Sequence, residues 1–529
     1  MNGGSARVGR ERHDIAWLLN ALKEEYDVGD NLTYTLFLRR TALRVPDKPA
    51  LICGDRTMSY AQTFDTIAAL AGYLAGECGV REGQRVALLA DNSERYQIWY
   101  LAVLSLGAVA VPLNTRLTPR EIGYQIKNAS AVLVIAQRKF SDVLAEVVVP
   151  WIDSEAISPE YQPRLDIAAV AVNTDAPAAI YYTSGTTGNP KGVVHTHRSL
   201  IAGSVQGPAC WEYDDPAAVT LAMTPLFHIA NHTWFLPVLR VGGTMVIDTF
   251  RTESVLDLIA RRHITHLFAV PTMLLLMIQQ HRISGQDLSH VRNVAFGASA
   301  MPPEKLADVQ RMFPNAGLVH GMGQTESCGT IVTLPSRLAF DKAGSVGLHI
   351  DGTQMRVADP DGHNVPAKIV GELLARGPSV MSHYHLQPEA TAETLAGGWL
   401  HTGDLGYLDE EGFLFLVDRK KDMIIRGGEN VYSSEVENVL YMHPGVAQAA
   451  VVAARSELFG EEVFAFVVRR QTAPEVDGPD ETSLRAHCAC YLAAYKLPVA
   501  IAFLEAMPQT ATGKIQKHVL RELLPAQFR

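Results

Sequence analysis

The sequence predicts an α/β protein with a large N-terminal domain and a smaller C-terminal one. Short apolar runs of strand length alternate with helix-length segments up to about residue 417. This alternation is typical of parallel β-sheet covered by helices. A chain of 529 residues is also too long for one ordinary hydrophobic core, so more than one domain is expected.

The strands of the large domain are predicted from apolar runs that are bounded by turn signals. A helix is predicted between the first two runs, from Asp91 to Leu106. The predicted strands begin at Arg85, Ala108, Ala131, Ala178, Gly243, His266 and Asn293.

The C-terminal region follows a charged cluster, Asp418–Asp422, which we interpret as a linker. A short strand from Met423, a Gly427-Gly428 turn and a helix come next. The spacing Ser434-x-x-Glu437 predicts a capping box at the start of that helix. Two strands and further helices complete the pattern of a separate α+β domain.

Composition and charge exclude several classes of protein. The formal net charge of -10 argues against a nucleic-acid partner, which requires a basic surface. Six cysteines in so long a chain do not form a disulfide framework. Cys488 and Cys490 lie beside His487 but lack a second ligand pair, so they are interpreted as apolar helix residues and no metal site is predicted there.

No targeting or membrane segment is predicted. The N-terminus has arginines but no apolar run behind them, unlike a signal peptide. The uncharged stretch Pro216–Leu239 is long enough to span a bilayer, but its three prolines and two histidines favour a buried segment that lines a pocket. A cytoplasmic location without an integral membrane segment is therefore expected.

A glycine- and hydroxyl-rich loop follows the predicted strand at Ala178. Glycines let backbone N–H groups approach an anion closely, and Lys191 adds a positive charge. The loop lacks the Gly-Lys-Ser/Thr ending of a P-loop. A phosphate cradle and a flexible surface turn both remain open. The loop residues before the lysine include Thr183, Ser184, Gly185, Thr186, Thr187 and Gly188.

A second glycine-containing segment, Gly321–Glu326, suggests a dinucleotide-binding fingerprint at first sight. The third glycine of that fingerprint is absent, so a Rossmann-type site is not supported.

Taken together, the ordered motifs resemble the signatures of the adenylate-forming superfamily, in its acyl-CoA synthetase branch. The superfamily includes acyl-CoA synthetases, peptide-synthetase adenylation domains and beetle luciferase. The resemblance extends from about residue 30 to the end of the sequence. The matching segments, in order, are Tyr182–Val193, Pro225–His228, Gly321–Glu326, Gly371–Gly377, Gly398–Gly406, Asp418–Asp422, Gly427–Glu437 and Pro508–Lys517.

The resemblance implies a domain organisation. Residues 1–418 would form the large domain, with doubly wound mixed or parallel sheets plus a β-barrel-like part. Residues 419–421 would form a hinge at Lys421. Residues 422–529 would form a small, mobile α+β lid, and ATP would bind between the two domains.

The resemblance also assigns catalytic roles. Lys514 would stabilise the charge that develops when a carboxylate attacks the α-phosphorus of ATP. Glu326 and Thr183 would hold Mg²⁺, for which hard oxygen ligands are suited. Lys191 and His228 complete the predicted catalytic set.

The remaining nucleotide contacts implied by the resemblance lie on several strands and turns. Met322 departs from the family pattern, which usually has an aromatic residue there to stack on adenine. The implied ATP- or AMP-binding residues beyond the loop are Gly297, Ala298, Ser299, His320, Gly321, Met322, Gly323, Gln324, Thr325, Asp404 and Arg419.

The acyl and CoA subsites are implied in the same way. His228 is either a gate or a buried core histidine, and both interpretations stay open. Small residues such as Gly297 and Gly329 suggest room for a medium-to-bulky apolar or aryl acid. The implied acyl-pocket residues are His228, Ile229, Asn231, Phe296, Gly297, Gly321 and Cys328, and the implied CoA-binding residues are Gly427, Gly428 and Glu429.

The expected activity is that of an acyl-CoA ligase that uses ATP, Mg²⁺ and CoA. An acid and ATP would give acyl-AMP and pyrophosphate, and CoA would then give the thioester and AMP. The alternative is an adenylation enzyme that loads a carrier protein, although no carrier domain follows Arg529 and the Phe-Asp element of peptide synthetases is replaced by Phe227-His228. A non-catalytic nucleotide-binding protein is disfavoured by Lys514, Glu326 and Lys191, and a homodimer is left open.

Overall fold

The computed structural model describes most of the chain. Seven predicted site residues lie outside the described residues, namely Ser184, Gly185, Thr186, Thr187, Gly188, Ser299 and Lys514. The described residues are 33–529, without residues 162, 184–189, 214, 299–300, 302, 471–477 and 510–514.

The described chain groups into two compact units. The first unit runs to Met355 and includes Ala375–Leu400. The second unit comprises Arg356–Leu374 and His401–Arg529. The hinge at 419–421 and the domain limits on either side of it stay predictions.

The strands of the first half of the chain are short and mostly buried. All the strands predicted from apolar runs in the large domain are present within a residue or two of their expected positions. In chain order the strands are β1 (Pro49–Cys53), β2 (Arg56–Ser59), β3 (Arg85–Leu89), β4 (Val109–Pro112), β5 (Leu133–Ala136), β6 (Trp151–Asp153), β7 (Pro177–Thr183), β8 (Lys191–Thr196), β9 (Val219–Ala222), β10 (Thr244–Ile247), β11 (His266–Ala269), β12 (Asn293–Gly297), β13 (Gly317–Gln324), β14 (Gly329–Leu334) and β15 (Leu348–His349).

The later strands include the long ribbon of the C-terminal region. They are β16 (Gln354–Ala358), β17 (Gly371–Arg376), β18 (His383–Tyr384), β19 (Leu400–Leu408), β20 (Leu414–Arg419), β21 (Ile424–Arg426), β22 (Glu429–Val431), β23 (Val446–Ser456), β24 (Gly460–Arg469) and β25 (Ala500–Leu504).

The α-helices of the described chain alternate with the strands, as the sequence pattern predicts. They are α1 (Tyr34–Arg44), α2 (Tyr60–Gly76), α3 (Glu94–Ser105), α4 (Pro119–Asn128), α5 (His197–Cys210), α6 (Leu236–Val241), α7 (Val255–Arg261), α8 (Pro271–Ser284), α9 (Pro303–Met312), α10 (Pro388–Thr394), α11 (Ser433–Met442), α12 (Glu481–Ala489) and α13 (Lys517–Glu522).

Two sheets of the first unit, mixed in direction, carry the fold. One has the order β15-β14-β13-β12-β11-β9-β10-β1-β2, with a parallel centre and antiparallel edges. The other has the order β18-β8-β7-β4-β3-β5-β6, in which β7 to β6 pair parallel and the pairings of β8 with β7 and with β18 are antiparallel. Parallel strands need cover on both faces, which explains why β3, β4, β5 and β11 are almost wholly apolar.

Helix α3 shows how the sequence pattern produces a buried helix. All its residues except Arg95 are buried, and from Ile98 to Leu104 it is apolar around its whole circumference rather than on one face. Ser93 caps its N-terminus by accepting a hydrogen bond from the Tyr96 N–H at 3.1 Å. The predicted helix Asp91–Leu106 is therefore confirmed, with its start moved to the residue after the cap.

The uncharged stretch Pro216–Leu239 does not form one helix. It contains β9, a π-helical turn at Asn231–Phe235 and the start of α6. Within the described ranges no helix is long and apolar enough to cross a membrane.

The second unit contains two sheets. A four-stranded sheet has the order β16-β17-β19-β20. The other sheet has the order β22-β21-β24-β23, and β25 pairs with β24. The core beneath it is formed by α11, α12 and the inner face of β23 and β24, including Val436, Val451 and Leu484.

The predicted capping box of α11 is wrong. The helix begins at Ser433, and its cap comes from Asp418, the penultimate residue of β20. The Asp418 carboxylate accepts hydrogen bonds from the Ser433 N–H, the Ser433 hydroxyl at 3.1 Å and the Ser434 N–H at 3.4 Å. Glu437 does not reach back to the helix start, because it accepts the Val451 N–H at 2.7 Å.

We expect Asp418→Ala to loosen α11 selectively. Losing a side-chain cap costs roughly 1 kcal/mol, which corresponds to about a fivefold larger population of open helix and a correspondingly faster rate of amide exchange. Amide hydrogen exchange of α11 measures this rate. Asp361→Ala, in an exposed turn, is the control, and equal exchange in the two variants would contradict the role of Asp418.

Candidate active site

The glycine-rich loop is closed by a β-hairpin. Strands β7 and β8 pair antiparallel, with Thr183 opposite Lys191. The Thr183 hydroxyl donates to the Lys191 carbonyl at 3.5 Å. The two predicted phosphate-site residues at the ends of the loop are therefore neighbours in the structure.

Glu326 lies in a 3₁₀ turn, Thr325–Ser327, directly after β13. Two backbone contacts fix this turn. The Met381 N–H donates to the Glu326 carbonyl at 2.7 Å, and His195 Nε2 donates to the Thr325 carbonyl at 2.8 Å. Burial lowers the pKa of His195 to about 4, so the ring is neutral at neutral pH and Nε2 carries its proton.

Tyr384 connects Glu326 with Lys191. Its hydroxyl donates to Glu326 Oε1 at 2.8 Å, and Lys191 Nζ lies 4.8 Å from the centre of its ring. Glu326 and Lys191 lie in motifs that the sequence contains, whereas Tyr384 and His195 are site residues that no motif predicted. Tyr384 lies seven positions after the Gly371–Gly377 segment, and neither its residue type nor its spacing distinguishes it from a core tyrosine.

The surroundings of Glu326 fit a divalent cation. Among the described residues Glu326 has no ion-pair partner, and Tyr384 occupies only one of its two carboxylate oxygens. An oxygen donor of this kind suits Mg²⁺, which binds through one or two carboxylates plus phosphates. The residues that would hold the ion are Glu326 and Thr183.

The predicted nucleotide contacts on β12 and β13 lie side by side. Gly297 pairs with Gly321 in parallel register, and a Cβ on Gly297 would lie 2.4 Å from the Gly321 carbonyl oxygen. Phe296 stacks on His320 with ring centres 4.8 Å apart. Both strands are parallel and end here, at the sheet edge where ligands of α/β proteins bind.

The other predicted residues near this edge occupy defined positions. Ala298 has a left-handed backbone with φ of 68°. Met322 is 8% exposed, and Gly323 and Gln324 follow it on β13. Burial lowers the pKa of His320 to about 4, and its Nδ1 lies 3.2 Å from the Ser345 carbonyl.

The segment predicted to line the acyl pocket is partly occupied by internal contacts. His228 Nδ1 accepts the Ala230 N–H at 3.2 Å, and burial lowers the pKa of His228 to about 4. Its Nε2 therefore carries the proton and is a neutral donor. Ile229 is buried in the hydrophobic core, and Asn231 Nδ2 donates to Gln97 Oε1 at 3.0 Å.

Trp211, which the sequence analysis missed, covers Gly321. A Cβ on Gly321 would lie 2.1 Å from Trp211 Cη2, so the indole occupies the side-chain space of that glycine. Trp211 packs edge-on against Trp234 and Phe268, with ring centres 5.3 and 5.8 Å apart. We call these three buried residues the aromatic floor.

Cys328 lies under α5. Its backbone is left-handed with φ of 52°, and its Sγ would lie 2.8 Å from a Cβ on Gly203. Burial raises the pKa of the Cys328 thiol, so it stays protonated. The cysteine therefore contributes shape rather than reactivity.

Within the second unit, the structure brings Asp404 and Arg419 together. They are opposite each other on β19 and β20, with Arg419 Nε 2.6 Å from Asp404 Oδ1. Glu372 lies beside them and accepts hydrogen bonds from Lys420 at 3.1 Å and from the Gly403 N–H at 3.2 Å. Burial alone would raise the pKa of Glu372. Contacts with Lys420 and His401 nevertheless hold this pKa below its ordinary value.

The predicted hinge and CoA residues follow on the next strands. Burial lowers the pKa of Lys421, whose carbonyl accepts a hydrogen bond from Arg521 at 3.4 Å. Gly427 and Gly428 form the turn between β21 and β22 with φ of 58° and 89°, which glycine adopts without strain. Glu429 begins β22 and is exposed.

The glycine-rich hairpin with its lysine, and a carboxylate free of ion pairs among the described residues, are groups suited to a nucleotide's phosphates and their metal ion. A family model described as AMP-binding enzyme matches residues 38–385, and one described as AMP-binding enzyme C-terminal domain matches residues 435–514. The chain belongs to the AMP-binding enzyme family.

Known proteins are similar over almost the whole chain. Feruloyl-CoA synthase from Amycolatopsis sp is 36% identical over 495 residues, which cover 91% of this chain and 97% of the relative. Fatty acid–[acyl-carrier-protein] ligase ScoC from Streptomyces coeruleorubidus is 34% identical over 495 residues, covering 90% and 93%.

A solved structure shows the same fold. It is o-succinylbenzoate CoA synthetase from Bacillus subtilis with its acyl-adenylate intermediate, with a TM-score of 0.82, 30% identity, and coverage of 92% of this chain and 97% of that one. The same enzyme has been solved with ATP and magnesium ion, with a TM-score of 0.80 and 30% identity. These comparisons confirm the family resemblance and the fold class that the sequence predicts.

The first unit is rich in buried histidines, which make its stability depend on pH. The unfolded chain binds protons at these residues below about pH 6.5, whereas the folded rings stay neutral to a lower pH. The free energy of unfolding therefore falls as the pH falls through this window. Burial lowers the pKa to about 4 for His195, His197, His228, His266 and His320, and to about 3 for His232.

We expect the thermal midpoint to decline steadily between pH 6.5 and 4, and less steeply in His197→Met. His197 alone contributes up to about 3 kcal/mol across this window. Thermal unfolding monitored by circular dichroism checks the slope. His363→Met removes an exposed ring and is the control, and a His197→Met slope equal to that of the unmodified chain would contradict this origin.

Proposed function

We propose that this chain is an AMP-forming acyl-CoA ligase, an acid–thiol ligase that uses ATP, Mg²⁺ and CoA. The convergence of Lys191 and Glu326 on Tyr384, next to the ends of the glycine-rich loop, carries this proposal. A cation for phosphate and a carboxylate for Mg²⁺ are the groups that adenylation requires. Relatives named as CoA ligases of aryl and fatty acids support it.

In the first step the acid's carboxylate oxygen attacks the α-phosphorus of ATP. The bond between the α-phosphorus and the bridging oxygen breaks, and pyrophosphate leaves. The loop from Thr183 to Lys191 and Lys514 bind the phosphates and stabilise the developing charge. Mg²⁺, held by Glu326 and Thr183, would neutralise phosphate charge.

In the second step the CoA sulfur attacks the acyl carbonyl carbon of the adenylate. The thiol loses its proton, the bond to the AMP oxygen breaks, and AMP leaves with the bonding electrons. Gly427 and Gly428 would line the path of the pantetheine arm, because a chain without side chains allows close approach. Asp404 and Arg419 would contact the ribose, and Lys421 would act as the hinge between the two steps.

We further propose that the acid is an aryl or apolar acid of moderate length. The aromatic floor supports this choice, because Trp211 fills the space above Gly321 and would end the acyl pocket there. We place His228 at the carboxylate end of the pocket, where its neutral Nε2–H would donate to an acyl oxygen. We also propose a cytoplasmic location, small-molecule rather than nucleic-acid partners, and a homodimer as the state to test first.

The second candidate is an enzyme that loads a carrier protein. The 34% identity to a fatty acid–[acyl-carrier-protein] ligase favours keeping it. The two candidates share the adenylation step and differ only in the thiol that accepts the acyl group.

An assay with a panel of fatty, aryl, polycyclic and amino acids tests the function. We expect acid-dependent pyrophosphate release, and AMP equal in amount to acyl-CoA when CoA is added. Lys514→Ala should lose pyrophosphate release at least 100-fold but keep thioester formation from supplied acyl-AMP. Equal loss in both steps would contradict the role of Lys514, and transfer only to a carrier protein would favour the second candidate.

We expect the Trp211→Leu variant to accept longer acids than the unmodified enzyme. We expect the ratio of kcat/KM for a twelve-carbon acid over benzoate to rise about tenfold or more, because each methylene buried in an apolar pocket favours binding. Kinetics on folded protein measure the ratio. Trp99→Leu, which truncates another buried tryptophan, is the control, and an unchanged ratio in Trp211→Leu would exclude the aromatic floor as the end of the pocket.

A further inference from the structure

We infer that Tyr384 is a positioning residue that keeps the metal-binding Glu326 and the phosphate-binding Lys191 apart and correctly oriented. This inference rests on the proposed function. It concerns a residue outside every motif that the sequence analysis identified, and it assigns separate tasks to the hydroxyl and the ring of one side chain.

The hydroxyl orients Glu326. It donates to Oε1 at 2.8 Å, which leaves Oε2 and the remaining lone pair of Oε1 for a cation. Tyr384 is buried, with 5% of its surface exposed. A tyrosine phenol carries its proton at neutral pH, so it serves as a hydrogen-bond donor to the carboxylate. A hydrogen bond to a charged acceptor is stronger than one between neutral groups, so it fixes the carboxylate well.

The ring holds Lys191. The ammonium lies 4.8 Å from the ring centre, within the range of a cation–π contact. Such a contact orients a lysine without neutralising its charge. Lys191 thus keeps its full charge for the phosphates of ATP.

The phenol also separates the two charges. Its hydroxyl reaches the carboxylate while its face contacts the ammonium, so one side chain spans Glu326 and Lys191. A direct ion pair would weaken the binding of Mg²⁺ by Glu326, because Lys191 would compete with the metal ion for the carboxylate. It would also weaken the binding of phosphate by Lys191, because Glu326 would compete with phosphate for the ammonium. In the described residues these two groups form no ion pair with each other.

The backbone around Tyr384 is built to hold it there. Strand β18 pairs with β8, with Tyr384 opposite Val193, only two residues from Lys191. The Tyr384 N–H donates to the Thr391 hydroxyl at 2.9 Å. On the other side, the Met381 N–H binds the Glu326 carbonyl at 2.7 Å, so a single short segment contacts both the turn and the hairpin.

Two substitutions separate the two tasks. Tyr384→Phe keeps the ring and loses the hydroxyl, and we expect the Mg²⁺ concentration for half-maximal ATP binding to rise about five- to tenfold. ATP affinity without Mg²⁺ should stay within about twofold, because Lys191 keeps its ring contact. Tyr384→Leu loses both contacts, and we expect it to weaken ATP binding without Mg²⁺ as well. Calorimetric titration of the full chain with ATP, without acid or CoA, measures both quantities.

A matched control variant and a double-mutant cycle of Tyr384 with Glu326 complete the test. Tyr60→Phe removes another buried tyrosine hydroxyl, which donates to the Gly243 carbonyl at 2.6 Å, and should not change the Mg²⁺ requirement. In a Glu326→Gln background, Tyr384→Phe should have little further effect, since interacting residues are not additive.

The outcomes distinguish this inference from the proposed function. The role of Tyr384 is overturned if Tyr384→Phe leaves the Mg²⁺ requirement unchanged. It is also overturned if Tyr384→Phe has the same effect in the unmodified chain and in the Glu326→Gln background. Normal Mg-ATP binding without acid-dependent pyrophosphate release overturns the proposed function alone. Absence of ATP binding in the unmodified chain overturns both. If Tyr384→Phe does not fold, Tyr384→Leu decides the matter, because an unchanged Mg²⁺ requirement together with an unchanged ATP affinity without Mg²⁺ in that variant overturns the role of Tyr384.

Discussion

The antiparallel pairing of β7 with β8 is the constraint on which the site in the first unit depends. It places Thr183 opposite Lys191, so the two ends of the glycine-rich loop meet. Strand β8 then pairs with β18, which brings Tyr384 beside the hairpin. From there a hydrogen bond reaches Glu326, in the turn between β13 and β14 of the other sheet. Three distant parts of the sequence thus meet through two backbone ladders and one side chain.

The sequence was sufficient to predict the elements of the large unit because they follow local rules. Apolar runs without charges predict buried parallel strands, and each such run proved to be a strand, as with β5 and β11. The glycine-rich motif likewise pointed to Lys191, and the resemblance to the adenylate-forming superfamily implied Glu326. These features depend on short stretches of chain, which a single sequence contains in full.

The sequence was not sufficient where a partner comes from far along the chain. Ser434 and Glu437 have the spacing of a capping box, yet Asp418 caps α11 from a strand outside the helix. Tyr384 and Trp211 resemble ordinary core aromatics until their neighbours are known. A tyrosine hydroxyl that meets a carboxylate, or an indole that covers a glycine, depends on sheet pairing, and no local pattern records it.

The contact between Trp211 and Gly321 has a consequence for how the proposed acyl pocket can change. The indole and the missing side chain occupy the same space, so the two positions share one volume. A larger residue at 321 is compatible only with a smaller one at 211, whereas a smaller residue at 211 needs no partner. A smaller residue at position 211 would therefore deepen the proposed pocket in a single substitution. A larger residue at position 321, which would make the pocket shallow, is possible only after Trp211 has been replaced. The order of substitutions is constrained by geometry.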